Sequence, residues 1–415
     1  MARTNSAYVF IQLKGNWIPC GYLTVHEDNR TVFSEFEYGR KYLERKDAVS
    51  LDPVMLPLGS GVFRTPEDIP VFGGIRDVSP DSWGRHLLER AAEPRTPGEF
   101  EYLTAIPTQD RVGAIAFGND LQQGPAPIHP GWENYPPHGI ALDLEQMVQV
   151  ADQLINDKDI PLEYRRFLFR GSSLGGAQPK APTVFDGKPW IVKFGREFEG
   201  WSTCRIEHAN MMLAKECGII VPETKTLAVR NRDVYLIKRF DRDEAGNRIH
   251  YVSSATLLGT NVVDKGSYQD IAVQMRKYCA AESVQSDLAQ LFRRMVFNIL
   301  CNNSDDHLRN HGFLYVPESG WTLSPAFDIV PQPDMGPGET RNLTLGVGKD
   351  GSRKATLDNA LTVSGVFGLV DDHAMSIITT MKDTFVTRWE AIFRRCSVPP
   401  KDFQHLSKAF VNHLR

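Results

Sequence analysis

The amino-acid sequence predicts an α+β fold, in which a β-rich lobe precedes a helical lobe and an additional β/α subdomain lies at the N-terminus. Residues 7–37 form short strand-like segments separated by turn residues. A second group of strand-like segments occupies residues 165–240. Beyond about residue 246, apolar side chains recur mainly at helical spacing. A chain of 415 residues is long enough for two or three domains.

The first predicted unit is the β/α subdomain over residues 1–123. It contains three strand-like segments, one helix-like segment with an apolar face and one further apolar strand, at 8–13, 21–25, 31–36, 82–91 and 112–117. The densest proline segment of the chain follows, because Pro125, Pro127 and Pro130 lie close to Pro136-Pro137. We therefore expect a proline-rich linker over 124–140.

The second predicted unit is a small β-rich lobe over residues 141–245. An amphipathic helix at 144–155 opens it. Asp186-Gly187 lies between two strand-like segments and is a hairpin signal. A helix then follows at 206–216 and ends near Gly218, and two further strands are expected at 226–229 and 234–240.

The third predicted unit is a larger, helical lobe over residues 246–415. Its most regular helix covers 286–300, where apolar residues occupy one face, and a final helix is expected near 402–414. A small sheet lobe next to a helical lobe is the layout of protein kinases, and a nucleotide would bind in the cleft between the two lobes.

Composition limits the class of protein. The net charge of −4 offers no global case for nucleic-acid binding, and the six cysteines are scattered without a C-x-x-C pair. That cysteine usage favours reduced thiols over disulfides or a zinc ribbon. We see no signal peptide and no apolar run long enough to span a bilayer, so we expect a cytoplasmic protein without a membrane partner.

The helix at 286–300 leads directly into the segment with the strongest chemical signal. Asp305 is followed five positions later by Asn310, and Asp328 lies further downstream. Phosphoryl transfer needs a carboxylate near the acceptor hydroxyl and oxygen ligands for Mg²⁺, and protein kinases supply them in this order. We therefore predict Asp305 as the general base and Asn310 and Asp328 as Mg²⁺ ligands. Asp306 is an alternative base, but it lacks the five-residue spacing to an asparagine.

Two other interpretations of this segment stay open. Ser304-Asp305-Asp306 could be an ordinary turn or helix cap. A zinc site built from Asp305, His307 and His311 is a second alternative, although the spacing offers no closed ligand set.

Three features of the small lobe support nucleotide binding. Lys193 lies in an apolar strand, and Glu207 in the next helix is its expected partner, as in kinases whose strand lysine binds the phosphates. Residues 171–180 form a glycine-rich loop that would bring backbone N–H groups near phosphate oxygens. The segment Ile237 to Asp241 ends the last strand of the lobe, where a hinge would run beside the adenine.

Together these motifs resemble the HipA family, the serine/threonine-protein kinase toxins of bacterial type II toxin–antitoxin systems. The similarity runs through five motifs: Gly175-Gly176-Ala177-Gln178-Pro179-Lys180, Ile191-Val192-Lys193, Lys238-Arg239-Phe240-Asp241, Ser304-Asp305-Asp306-His307-Leu308-Arg309-Asn310 and Ser324-Pro325-Ala326-Phe327-Asp328. The stretches 73–85 and 111–114 are also similar to the family.

The resemblance implies an ATP- and Mg²⁺-dependent protein kinase with Asp305, Lys193 and Glu207 as catalytic residues. It also implies autophosphorylation at Ser173, with Ser172 as a competitor, in the glycine-rich loop. The expected nucleotide-binding residues are Leu174, Gly175, Gly176, Ala177, Gln178, Lys193, Lys238, Arg239, Phe240, His307, Asn310 and Asp328.

The expected partners also follow from the resemblance. They are a HipB-like DNA-binding antitoxin, through which DNA is contacted indirectly, and a protein substrate, for which an aminoacyl-tRNA synthetase is the family precedent. Asp306 and Pro179 depart from the family pattern, which leaves the choice of substrate open. A small-molecule or lipid kinase on the same scaffold and a non-catalytic regulator bound to an antitoxin are the alternatives.

Overall fold

The structure is a computed structural model that describes residues 3–28, 30–92, 95–126, 128, 143–155, 178–195, 201–230, 232–332 and 341–411. The helices and strands are numbered below in chain order within these ranges.

The N-terminal subdomain is built on an antiparallel sheet of five strands in the order β4-β3-β2-β1-β5. The strands are β1 (Arg3–Leu13), β2 (Asn16–Glu27), β3 (Val32–Tyr38), β4 (Val62–Arg64) and β5 (Ile115–Gly118). Four helices accompany the sheet: α1 (Arg40–Leu43), α2 (Gly73–Arg76), α3 (Ser82–Ala92) and α4 (Glu99–Thr104). Alternate side chains of β1 and β2, such as Val9, Ile11 and Leu23, are fully buried in the core of this subdomain.

The small lobe contains a four-stranded antiparallel sheet in the order β6-β7-β9-β8. Its elements are α5 (Leu144–Ile155), β6 (Lys180–Phe185), β7 (Lys188–Phe194), α6 (Thr203–Glu216), β8 (Thr224–Val229) and β9 (Arg232–Lys238). Asp186 and Gly187 connect β6 to β7 with φ angles of 49° and 70°, which confirms the predicted tight turn. Trp83 and Leu87 of α3 pack into the same hydrophobic cluster as α5 and this sheet.

The large lobe is mostly helical and holds the largest hydrophobic core. Its helices are α7 (Ser254–Leu257), α8 (Tyr268–Tyr278), α9 (Val284–Cys301), α10 (Leu357–Leu361), α11 (Asp371–Arg395) and α12 (Phe403–Val411). It also contains a three-stranded sheet, with strands β10 (Tyr251–Ser253), β11 (Gly312–Val316) and β12 (Gly320–Leu323). The sequence interpretation missed this sheet, because each of its strands has only three to five residues, which are too few to show a recognisable alternation of apolar and polar side chains.

The helix predictions are confirmed more closely than the strand predictions. The structure has α5 at the predicted residues 144–155, and α9 extends the predicted 286–300 by only two residues at its start and one at its end. Gly218 has a φ of +79°, as expected after a helix. By contrast, the strand expected at 112–117 begins only at Ile115. The reason is that the backbone of Arg111 and Gly113 instead contacts the segment after β9.

The predicted linker falls largely outside the described residues. Of residues 124–140, the structure describes Gly124 to Ala126 and Ile128, and Ile128 is buried in the N-terminal core. Among the helices of the described ranges, none combines the length and the hydropathy needed to cross a lipid bilayer.

Candidate active site

A cavity opens where the three units meet, and most of the predicted site residues that the structure describes line it. From the prediction, Lys193, Lys238, Arg239, Phe240, His307, Asn310 and Asp328 contribute to its walls. Ile237 and Asp241 of the predicted hinge and Lys180 of the predicted glycine-rich loop also line it. Further lining residues that the sequence interpretation did not assign to the site are Arg76, Asp77, Ser79, Asp81, Val112, Ile191, Tyr251, Ser253, Arg309 and Phe327. Asp305 and Glu207 are not part of this lining, and they lie beside it as described below.

Lys193 links the two lobes across the cavity. The alternation of β7 places Trp190, Val192 and Phe194 in the small-lobe core, so that Lys193 faces the opposite side of the sheet. Its Nζ donates to Glu207 Oε1 on α6 at 2.7 Å and to Asp328 Oδ1 at 2.5 Å. The predicted lysine–glutamate pair is therefore present, and it extends to the aspartate expected to bind Mg²⁺.

The protonation of these three groups depends on burial and on their mutual contact. Burial works to lower the pKa of Lys193, but the carboxylates of Asp328 and Glu207 outweigh it and hold that pKa above its ordinary value. Burial raises the pKa of Glu207, against the attraction of Lys193. For Asp328, burial is outweighed by the positive charge of Lys193 and Lys180, so its pKa is well below the ordinary value. The lysine is thus a permanent cation at neutral pH.

Lys180 is a second buried lysine, to whose side chain the sequence interpretation assigned no role. It begins β6 and is paired in register with Lys193 on β7, so both side chains lie on the same face of the sheet. Burial, followed by the repulsion from Lys193, lowers the pKa of Lys180 to about 8. Two like charges opposite each other destabilise a sheet unless something between them is negative. Its position directly after Gln178-Pro179 in the glycine-rich motif was the available sequence signal.

Asp305 and Asp306 are neighbours with different environments. The side chain of Asp305 is exposed, whereas Asp306 is 1% exposed and accepts hydrogen bonds from Tyr268 and His311. Partial loss of surrounding water raises the pKa of Asp305, and the nearby Asp328 and Asp306 add to the effect while His307 opposes it. Of the two carboxylates, only that of Asp305 is accessible to a substrate.

Asn310 is tied to Asp305 through the backbone. Its Nδ2 donates to the carbonyl oxygen of Asp305 at 3.1 Å, which leaves its amide oxygen for a ligand in the cavity. His307 also lines the cavity, and its buried Nδ1 atom has no hydrogen-bond partner among the described residues. These groups fit a metal ion and a phosphate. The Asn310 amide oxygen and the Asp328 carboxylate are the kind of oxygen ligands that Mg²⁺ prefers. The His307 nitrogen without a partner can hydrogen-bond a phosphate oxygen.

The zinc alternative finds no support within the described ranges, since these contain no group of three or more His, Cys, Asp or Glu side chains arranged to hold a metal ion. His311, one of its expected ligands, instead contacts Asp306 at 3.1 Å.

The apolar side chains of the cavity wall could enclose a flat ring. Ile191 and Ile237, which are paired on neighbouring strands, line the cavity together with Val112, and the rings of Phe240 and Phe327 lie 5.4 Å apart. Phe327 precedes Asp328, which has a φ of +58°, a left-handed conformation that is costly for an aspartate. Strain at a residue that also pairs with Lys193 is typical of functional sites.

The predicted hinge residues Lys238 and Arg239 differ in the exposure and the partners of their side chains. Lys238 is partly exposed and pairs with Glu244 at 3.1 Å. The guanidinium of Arg239 is buried and donates to Asp241 and to the backbone carbonyls of Asp110 and Arg111. Because its side-chain donors are used in this way, any contact of Arg239 with a nucleotide would involve its main chain.

A group of arginines fastens the N-terminal subdomain to the hinge. Arg239, Arg242 and Arg248 all donate to the single carbonyl oxygen of Arg111, at 2.7 to 2.9 Å. Asp241 accepts from the backbone N–H of Gly113 at 2.8 Å. We call these residues the hinge clamp. Their contacts depend on tertiary structure, and the sequence carries no local pattern from which they could be recognised.

The N-terminal subdomain also forms one wall of the site. Arg309, next to Asn310, pairs with Asp81 at 3.0 Å, and Asp77 accepts hydrogen bonds from Ser253 and Thr256. This subdomain is therefore part of the site and not an appendage to it.

Several predicted residues lie outside the described ranges. These are Ser173 and the loop residues Leu174, Gly175, Gly176 and Ala177, together with the competitor Ser172. Gln178 is described, and its Nε2 lies 3.5 Å from the carbonyl oxygen of Phe194.

Comparisons with known proteins agree with this geometry. The serine/threonine-protein kinase toxin HipA of Shewanella oneidensis is 26% identical over 311 residues, which cover 68% of this chain and 66% of that protein. The candidate kinase Y4dM of Sinorhizobium fredii is 25% identical over 331 residues, or 75% of this chain and 74% of that protein.

A solved structure shows the same fold. The matching chain in the complex of Shewanella oneidensis HipA, HipB and operator DNA has a TM-score of 0.63 and 18% identity, with 98% of this chain and 96% of that chain covered. The predicted α+β, two-lobed kinase-like fold with an N-terminal subdomain is thus confirmed. The family model for HipA-like C-terminal domains matches residues 172–389, which is more than half of the sequence. The chain therefore belongs to the HipA family.

Proposed function

We propose that this protein is a Mg²⁺-dependent kinase that transfers the γ-phosphoryl group of ATP to a seryl or threonyl hydroxyl of a protein. One observation carries the proposal: Lys193 bridges Glu207 and Asp328 in a cavity that Asn310 and His307 also line. A strand lysine paired with a helix glutamate, beside an aspartate and an asparagine, is the arrangement that protein kinases use for phosphoryl transfer.

The roles of the residues follow from their places in the cavity. Phe240, Phe327 and Val112 would enclose the adenine, and Lys193 with Lys180 would bind the phosphates. Asn310 and Asp328 would hold Mg²⁺, which supplies neutralisation of the charge that develops on the phosphate oxygens. The carboxylate of Asp305 would accept the proton of the acceptor hydroxyl as that oxygen bonds to phosphorus.

A protein acceptor and an antitoxin partner complete the proposal. The related Shewanella toxin is named a serine/threonine-protein kinase, and the solved HipA structure contains HipB and operator DNA. These names support a protein substrate and a HipB-like, DNA-binding partner for this chain, with DNA contacted through that partner. An aminoacyl-tRNA synthetase is the substrate to try first. We further propose autophosphorylation at Ser173, the position that the family resemblance indicates.

The test is intact-mass measurement and phosphopeptide mapping after incubation with Mg·ATP. We expect one added phosphate at Ser173 in the wild type, and a rate about 10²–10⁴-fold lower in Asp305→Asn, because the amide cannot accept the proton. Asp383→Asn is the matched control, since Asp383 is exposed on α11 and does not line the cavity.

A wild-type protein that binds ATP but phosphorylates neither itself nor any protein would refute the protein-kinase proposal. Phosphate found instead on an added metabolite or lipid would establish the small-molecule alternative. Equal rates in Asp305→Asn and wild type would remove Asp305 from the role of base.

A further inference from the structure

Beneath the exposed Asp305 lies a continuous chain of buried polar side chains. Its members are Tyr268, Asn298, Asn303, Asp306 and His311, and each is at most 2% exposed. The Nδ1 atom of His311 has no hydrogen-bond partner among the described residues. We call these five residues the buried polar chain. Buried polar groups without partners are costly, so a run of them in one place requires a reason.

Hydrogen bonds connect the members in order. Asn303 Nδ2 donates to Asn298 Oδ1 at 3.1 Å, and Asn298 Nδ2 donates to the Tyr268 hydroxyl oxygen at 2.9 Å. The Tyr268 hydroxyl donates to Asp306 Oδ2. The other oxygen of that carboxylate lies 3.1 Å from His311 Nε2. Every link is between side chains, and no regular secondary structure imposes it.

The buried polar chain holds both ends of the segment that carries the proposed base. Asn303 lies two residues before Asp305, and His311 directly follows Asn310. Asp306, between them, turns into the protein, while the preceding side chain of Asp305 remains exposed. Asn310 is in turn bonded to the Asp305 carbonyl oxygen at 3.1 Å. Anchoring Asp306 therefore fixes the base and the amide ligand relative to each other.

The partners of Asp306 favour the charged form of its carboxylate. Burial alone would raise the pKa of Asp306, but the nearby His311 and the hydrogen bond from Tyr268 bring it below the ordinary value. Removing one partner of a buried charge weakens its placement severely. Other contacts also support the segment, among them those from Thr344 Oγ1 to the Ser304 carbonyl at 2.7 Å and from Leu308 N to the Val263 carbonyl at 3.0 Å.

We propose that Asp306, Tyr268 and His311 are positioning residues, whose side-chain contacts set the distance between the base Asp305 and the metal ligand Asn310. This inference rests on the proposed kinase function. On this inference, the aspartate at position 306, where the chain departs from the family pattern, holds the active-site segment in place. Residues other than Asp306 would then determine which substrate is phosphorylated.

The test removes one hydroxyl from the buried polar chain in the full-length protein. Tyr268→Phe deletes the donor to Asp306 and keeps the ring in the core. Tyr278→Phe is the matched control, because Tyr278 lies on the same helix α8 but is only half-buried and outside the chain. Two quantities are measured: the phosphoryl-transfer rate per ATP-binding site, and the ATP dissociation constant with and without Mg²⁺.

In Tyr268→Phe we expect the rate per binding site to fall about 10–100-fold, as for other changes to groups that orient a metal ligand. The gain in ATP affinity on adding Mg²⁺ should shrink about tenfold or more. The affinity without metal should stay within about twofold of wild type, since the phosphate-binding lysines are untouched. Tyr278→Phe should match wild type in both quantities.

A general loss of folding would lower the number of binding sites and leave both normalised quantities unchanged, and that result would overturn the inference. If Tyr268→Phe does not fold, Asp306→Asn is measured in the same way, and wild-type values there would also overturn it. Wild-type protein that binds no ATP would refute the kinase proposal and this inference with it. Wild type that transfers phosphate while Tyr268→Phe does so equally well would refute the inference alone.

Discussion

The two walls of the cavity place their charged groups by different means. On the small-lobe wall, strand register and helix packing set Lys180, Lys193 and Glu207, so their positions depend on backbone hydrogen bonds. On the large-lobe wall, Asp305 and Asn310 lie in a segment with little regular structure, fixed by the buried polar chain. On the first wall, stability and chemistry are therefore coupled at Lys193 itself, whereas on the second wall the exposed Asp305 can be changed without disturbing the buried groups that hold it.

The largest expected effect tests that coupling by breaking the lysine bridge. Lys193→Met keeps the aliphatic length but leaves Glu207, with a side chain only 2% exposed, without its cation. We expect the free energy of unfolding to fall by about 3 kcal/mol, because an uncompensated buried carboxylate remains. Urea denaturation followed by tryptophan fluorescence measures the change. Asp305→Asn, on the other wall, should stay within about 0.5 kcal/mol of wild type.

Lys188→Met is the matched control for this experiment. It lies on the same strand β7, but its side chain is 52% exposed and its pair with Glu244 is a surface contact. Surface pairs contribute little, so we expect less than about 0.5 kcal/mol. Equal losses at positions 188 and 193 would contradict the coupling of stability and chemistry on the small-lobe wall.

The second prediction concerns pH and the lysine opposite Lys193. With a pKa of about 8, Lys180 is charged below that value and becomes neutral as pH rises through it. In the proposed function its charge binds phosphate, so kcat/KM for ATP should be flat from about pH 6.5 to 7.5 and fall towards tenfold per unit above about pH 8. Initial rates across buffers of constant ionic strength measure this alkaline limb.

Lys180→Arg sharpens this second prediction, because a guanidinium stays charged throughout the range and should flatten the alkaline limb. The groups that face Lys180 are Lys193, Asp328, Glu207 and Asp81. Lys193 keeps its proton because two carboxylates contact it, so it does not add to the fall in kcat/KM above pH 8. A wild-type profile that stays flat to about pH 9.5 would show that Lys180 does not bind phosphate.

The smallest expected effect lies where α9 enters the large-lobe wall. Asn302 follows this helix with a φ of 54°, and its Nδ2 donates to the Gln332 carbonyl at 3.2 Å. Asn302→Ala should cost about 1 kcal/mol, because alanine disfavours the left-handed conformation. Asn302→Gly should recover most of that cost, since glycine adopts it freely. Thermal unfolding measures the stability of both variants. Equal stability of the two would show that the left-handed backbone conformation is not the reason why asparagine stabilises this position.

How much could be predicted differs between the same two walls. Lys193 and Glu207 could be paired from the sequence, because a strand lysine followed by a helix glutamate has a known geometric meaning. The fold class and α5 were also within reach, since long periodic segments carry strong local signals. The spacing of Asp305 and Asn310 marked the second wall, and the resemblance to a family supplied the nucleotide residues.

What escaped prediction depends on contacts between distant residues. Tyr268 and His311 are 38 and 5 residues from Asp306, and neither distance follows a helix or strand period. The contribution of Arg76, Asp81 and Val112 to the cavity could not be seen either, because they come from a subdomain that the sequence presents as separate. Lys180 was visible as part of a motif, but its register with Lys193 appears only when β6 pairs with β7.

The hinge clamp has a consequence for anyone who wishes to shorten this protein. The family match begins at residue 172, well after Arg111 and Gly113. A fragment cut there would leave Arg239, Arg242 and Arg248 without the carbonyl oxygen that they share, and Asp241 without the Gly113 N–H. The residues matched by the family model therefore leave out contacts that hold the hinge segment in the whole protein. We therefore expect a fragment that begins at residue 172 to be less stable than the whole protein, because these buried arginine and aspartate side chains lose their partners.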